Sequence, residues 1–110
     1  MTDIKKLEKL SMALRKNIFT SVYKGNGGHI GGAFSVIDIL TFLYSDILNI
    51  DCKDPENENR DRLIFSKGHS CLALYWTLSQ FGFFDKSLIE NYGRDGANFA
   101  GHPEFDKAPG

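Results

Sequence analysis

The chain has 110 residues, the size of one domain, and its 13 basic against 14 acidic side chains leave no charge excess to attract nucleic acid or an anionic membrane. A 42% hydrophobic share with nine Phe excludes a disordered polymer. Cys52 and Cys71 make no disulfide framework, no secretory leader follows Lys5-Lys6, and no run approaches the roughly 18 apolar residues of a membrane helix, so a reduced, soluble, cytoplasmic protein is expected.

From Asp3 to about Lys24, Ile4, Leu7, Leu14, Ile18 and Val22 recur at helical spacing and predict one long amphipathic helix. It stops at Gly25-Asn26-Gly27-Gly28, where flexible backbone replaces helix formers. Gly31-Gly32 follows at once, placing His29 in a short, unusually free loop. Ser35 is expected to open the next helix, with Asp38 three positions on as in a capping box. That helix runs to about Leu48, and Ile37-Asp38-Ile39-Leu40-Thr41-Phe42-Leu43 is apolar around so much of its surface that an interior helix is predicted.

Residues 51–61 are a polar surface connector, and the apolar run Leu63-Ile64-Phe65 fits a buried strand of a parallel sheet. Ser66-Lys67-Gly68-His69-Ser70 turns out of it into a helix from about Cys71 to Phe81, closed by Gly82. Asp85 or Ser87 caps a short helix through Tyr92, and from Gly93 the chain is irregular. Helix, helix, strand, helix, short helix and loop make a piece of an α/β layer, mostly helical, because one strand cannot make a sheet.

All three histidines follow a glycine, as Gly28-His29, Gly68-His69 and Gly101-His102. A lone histidine in a glycine-rich turn is usually a solvated surface residue. Three sharing loop type and neighbour shift the balance toward a site. His69 lies at the expected C-terminal end of a strand entering a helix, where α/β crevices open and a helix N-terminus offers N–H groups to phosphate. Imidazole suits a diphosphate oxygen or a sugar hydroxyl, since either protonation state offers an N–H. A zinc reading is weaker: Cys71 sits two residues from His69, but no second Cys pair exists. Cys71 reads better as a small buried hydrophobe, Asp38 as a capping or solvated charge, and Trp76 with Leu72, Leu74, Tyr75 and Leu78 as core. The dinucleotide fingerprint, P-loop and Ser/His/acid patterns fail.

Gly28-His29-Ile30-Gly31-Gly32, then Asp61-Arg62-Leu63-Ile64-Phe65-Ser66-Lys67-Gly68-His69, then Ala100-Gly101-His102-Pro103-Glu104 resemble the first three landmarks of transketolases. The order and spacing are closest to the N-terminal subunit of split bacterial transketolases. The resemblance implies a thiamine-diphosphate-binding fold of parallel sheet flanked by helices, with residues 1–110 forming the N-terminal part of its pyrophosphate-binding module and no second domain. It implies transfer of a two-carbon ketol unit from a ketose phosphate to an aldose, in the pentose phosphate pathway. In that family the histidine matching His69 hydrogen-bonds the cofactor diphosphate. The one matching His29 lies near the diphosphate and the reacting sugar, and the one matching His102 contacts the ketol hydroxyls.

Mg2+ is implied with the cofactor, its Asp and Asn ligands expected outside this chain. So is a C-terminal transketolase subunit or the remainder of the module, in a homo- or hetero-oligomer, with no nucleic acid or membrane partner. The chain closes at Ala108-Pro109-Gly110, before the family's Thr-Gly-rich cofactor segment, so a fragment or divided subunit, inactive alone, is expected. Deoxyxylulose-phosphate synthase shares the His-Ile-Gly-Gly type of loop, but Ser-Lys-Gly-His favours transketolase. A non-catalytic interaction module is the alternative from another class.

Overall fold

The computed structural model describes residues 3–24, 30–66 and 70–89. Three helices carry it: α1 (Ile4–Lys24), α2 (Ile30–Phe42) and α3 (Cys71–Gln80). A π-helical turn, Leu43–Ile47, extends α2, and a 3₁₀ turn, Lys86–Leu88, follows α3.

The amphipathic pattern of α1 places Ser11, Leu14, Ile18 and Ser21 on its buried face, against both other helices. At its start Asp3 accepts from the Lys6 amide at 3.2 Å. From α2, Ala33, Ile37, Leu40 and Thr41 complete the same core. Nearly every residue of α3 is buried, including Leu72, Ala73, Leu74, Tyr75 and Leu78, so α3 is the interior helix. Two buried hydroxyls are satisfied locally: Thr41 donates to the Ile37 carbonyl and Thr77 to that of Ala73, each at 2.7 Å.

Several expectations are corrected. Helix α2 begins at Ile30, not at Ser35, and runs straight through Gly31-Gly32. Ser35 lies inside it and donates to the Gly32 carbonyl at 2.8 Å. Nor is α2 interior on all sides, since Ile39 and Phe42 are exposed. The stretch Ile30–Ile47 also revises the membrane reading: 18 residues with a mean hydropathy of 1.4 are long and apolar enough to cross a membrane by length and composition. In the fold this stretch packs its buried face on α1 and α3.

The helix ends near Leu48 as expected, through a wider turn in which the Leu48 amide donates to the Leu43 carbonyl at 2.8 Å. This turn sets Tyr44 between Phe81 and Phe83, with ring centroids 6.2 Å and 5.9 Å away. Burial pushes the Tyr44 hydroxyl up to about 12.

The polar connector closes on itself. Asn49 donates its amide to the Asp61 carboxylate at 2.6 Å, and the Asp61 amide returns to the Asn49 carbonyl at 2.8 Å. Residues 61–66 form no strand, because among the described residues no neighbouring strand pairs with them. Leu63 and Phe65 pack on the core while Ile64 is 84% exposed, an alternation in place of the two-sided burial expected.

At the C-terminus of α3, the Phe83 amide donates to the Leu78 carbonyl at 3.0 Å and the Gly82 amide to that of Ser79 at 3.1 Å. This closure holds Gly82 at φ +88°, the left-handed region. A Cβ there would also lie 3.2 Å from Cys52 Sγ. Asp85 caps the 3₁₀ turn by accepting from the Ser87 amide at 2.9 Å. The continuation of this turn to Tyr92 lies outside the described residues.

Candidate functional site

His29, His69 and His102 lie outside the described residues, so the site is read from the elements that lead into their loops. Lys24 ends α1 and Ile30 opens α2 on either side of the His29 loop. Ser66 and Ser70 are the described residues on either side of residues 67–69, which include His69.

The start of α3 is the best-defined part. Ser70 holds the N-cap position with φ −97° and ψ 27°, and its side chain makes no capping bond. It is 1% exposed, and its Oγ has no hydrogen-bond partner among the described residues. Leaving a buried hydroxyl unmet costs on the order of 1–3 kcal/mol, so such a group calls for a reason. No acidic residue occupies the first turn of α3, and Cys71 and Leu72 there are buried. The helix therefore keeps its positive end free of side-chain carboxylate, with one unsatisfied hydroxyl at its tip. That combination suits an anionic oxygen.

The start of α2 is also without acid in its first turn. A Cβ at Gly31 would meet nothing within 4 Å, so the backbone beside the His29 loop is open to close approach.

Helices α1 and α2 are fixed to each other by a cluster that spacing along the chain does not reveal. The Arg15 guanidinium donates to both oxygens of Asp38, at 3.0 Å each, and Ser11 donates to the same carboxylate. Arg15 also donates to Ser11 Oγ at 2.7 Å and to the Phe34 carbonyl at 3.4 Å. Hydrogen bonds from Arg15 and then Ser11 hold the Asp38 carboxyl below the usual carboxylate range, against a small opposing effect of burial. Asp38 is thus a clamp between α1 and α2, and the capping role expected for it is corrected.

Ser70 is the group that the sequence alone did not single out. Its place after His69 at the head of a helix was visible, but its burial without a partner was not. Cys71 is buried and Cys52 half-buried, and they form no disulfide with each other. Among the described residues no group of three or more His, Cys, Asp or Glu side chains is arranged to hold a metal ion.

Residues 7–110 match the family described as the thiamine diphosphate binding domain of transketolase. The chain is 39% identical over 104 residues to one subunit of the apulose-4-phosphate transketolase of Phocaeicola vulgatus, covering 94% of this chain and 37% of that protein. It is 35% identical to a transketolase of Rhodobacter capsulatus, over 93% of this chain and 16% of that one. Its fold superposes on transketolase from Leishmania mexicana with a TM-score of 0.88 at 27% identity, covering 100% of this chain and 16% of that chain. The chain therefore spans little more than a third of the first of these relatives, 37%, and 16% of the second.

Proposed function

Because the chain belongs to the transketolase family through its thiamine diphosphate binding domain, we propose that it forms the N-terminal part of the diphosphate-binding module of an enzyme that moves a two-carbon ketol unit from a ketose phosphate to an aldose. The structural observation that supports this most is the buried, unpartnered Ser70 hydroxyl at the carboxylate-free start of α3, directly after His69. An anionic cofactor group would satisfy that hydroxyl, so the residues present fit thiamine diphosphate.

When bound, thiamine diphosphate supplies the electron sink for breaking and remaking the carbon–carbon bond. This chain's own residues bind and orient. In the proposed arrangement the His69 N–H and the Ser70 hydroxyl donate to diphosphate oxygens, reinforced by the backbone N–H groups of the first turn of α3. His29 falls in sequence between α1 and α2, whose pairing is fixed by Arg15 and Asp38, and it serves the diphosphate and the sugar. His102 donates to the hydroxyls of the ketol unit. Mg2+ accompanies the diphosphate, with its ligands supplied from outside residues 1–110.

Residues 1–110 are proposed to act as one module. The relatives from Phocaeicola vulgatus and Actinobacillus succinogenes are each a single subunit of an apulose-4-phosphate transketolase. That supports a hetero-oligomer in which the partner is a second, C-terminal transketolase subunit. The test is to combine the chain with that partner, thiamine diphosphate and Mg2+ and to follow two-carbon transfer between a ketose phosphate and an aldose. Transfer that falls at least about ten-fold in His102→Ala is expected, the scale of one lost charge-assisted hydrogen bond in the transition state. No transfer by the assembled protein contradicts the proposal.

A further inference from the structure

A second region of the chain, between α1 and the C-terminal half of α3, forms a cleft. Asn17, Ser21 and Lys24 lie on one face of α1 at spacings of four and three, and Trp76 and Gln80 lie on one face of α3 four apart. With Lys86 from the 3₁₀ turn they line a cleft of about 940 Å³. That is within the range of small-molecule sites.

The walls are set firmly. Trp76 donates its indole N–H to Ser21 Oγ at 2.8 Å, which fixes the ring plane against α1. Ser21 accepts there and keeps its own proton, for which no acceptor occurs among the described residues. Asn17 and Gln80 add amides that both donate and accept.

Charge sets the ligand class. Lys24 and Lys86 come from different elements and meet at this cleft, and among the described residues neither is in an ion pair. Among the described residues Asp85 is the one carboxylate on the lining; it is already engaged as a cap, and hydrogen bonds from Ser87, with the Lys86 charge beside it, hold its carboxyl below the usual carboxylate range. Two ammonium groups against one carboxylate make the described lining net positive. An aromatic wall, a ring of hydroxyls and amides, and two lysines together match a ligand with an apolar ring face, several hydroxyls and one anionic group.

We propose that the cleft between α1 and α3 binds a small phosphorylated polyol, with Trp76 against its carbon face, Ser21, Asn17 and Gln80 on its hydroxyls, and Lys24 and Lys86 on its phosphate. This site uses the C-terminal half of α3, whereas the cofactor reading rests on its first turn, so either stands if the other fails.

Trp76 is the sole tryptophan, so its indole N–H gives one NMR cross-peak that reports on the cleft directly. Ribose 5-phosphate, ribose and inorganic phosphate serve as separate probes, with no cofactor added. The expected result is a saturable shift of the Trp76 peak with ribose 5-phosphate, at an affinity at least about ten-fold weaker in Lys24→Ala/Lys86→Ala, the effect of losing about 1.4 kcal/mol of charge-assisted contact. Ribose and inorganic phosphate are each expected to bind more weakly than the combined ligand. No saturable shift, equal affinity in the double variant, or ribose alone binding as tightly as its phosphate overturns the proposal.

Discussion

Arg15 and Asp38 are 23 positions apart, and neither helix's own periodicity pairs them. The sequence shows Asp38 three residues after Ser35, which invites a capping reading. What overrides it is tertiary: α1 and α2 pack so that a two-pronged guanidinium meets the carboxylate, and a clamp replaces a cap. The Asp38 side chain is 68% exposed, so the pair stabilises by only about 0.5–1 kcal/mol. Its pH dependence follows from the direction of the shift. The folded carboxyl titrates below its ordinary value of 3.8, so the contribution is complete above that value and is lost as pH falls through the lower folded value. A double-mutant cycle of Arg15→Met and Asp38→Asn by urea unfolding is expected to give this coupling at about pH 7 and much less at about pH 2. Equal coupling at both contradicts the clamp. Ser70 illustrates the other limit of sequence reading. Its neighbour His69 and its place at a helix start were legible, whereas a hydroxyl sealed without a partner is a property of packing alone.

The elements were legible where they carry period and punctuation. Helix α1 spans Ile4–Lys24 as its apolar spacing predicts, and α3 spans Cys71–Gln80 with Gly82 just beyond its end. Helix α2 was placed late because Gly31-Gly32 reads as loop, yet the core contacts of Ala33 and Ile37 continue the helix back to Ile30. The run Leu63-Ile64-Phe65 carries strand composition, but pairing is a non-local property, and among the described residues it has no neighbour to pair with. Gly82 is the element-scale position with the sharpest consequence. A left-handed φ costs a side-chain-bearing residue about 1–2 kcal/mol, and the contact at 3.2 Å from Cys52 Sγ adds to it. Gly82→Ala is therefore expected to lower the unfolding free energy by at least about 1 kcal/mol in urea titration, with Cys52→Ala recovering part of the loss. An unchanged midpoint shows that the closure of α3 does not depend on this backbone conformation.

At the scale of the whole chain, three helices share one core, and the interior helix begins at the unpartnered hydroxyl next to His69. The same packing leaves Met12, Phe19 and Tyr23 of α1 and Ile39 and Phe42 of α2 exposed. The family was legible from three short motifs in order, and residues 7–110 bear it out. His29, His69 and His102 themselves lie outside the described residues. The central claim is that the turn from His69 into α3 holds the diphosphate of thiamine diphosphate. Calorimetric titration of thiamine diphosphate with Mg2+ into the chain assembled with its C-terminal partner tests it directly, in the wild type, His69→Ala and Ser70→Ala. Saturable binding is expected in the wild type, weakened by about 1–3 kcal/mol in His69→Ala and by about 0.5–1.5 kcal/mol in Ser70→Ala. Wild-type cofactor affinity in His69→Ala contradicts the account.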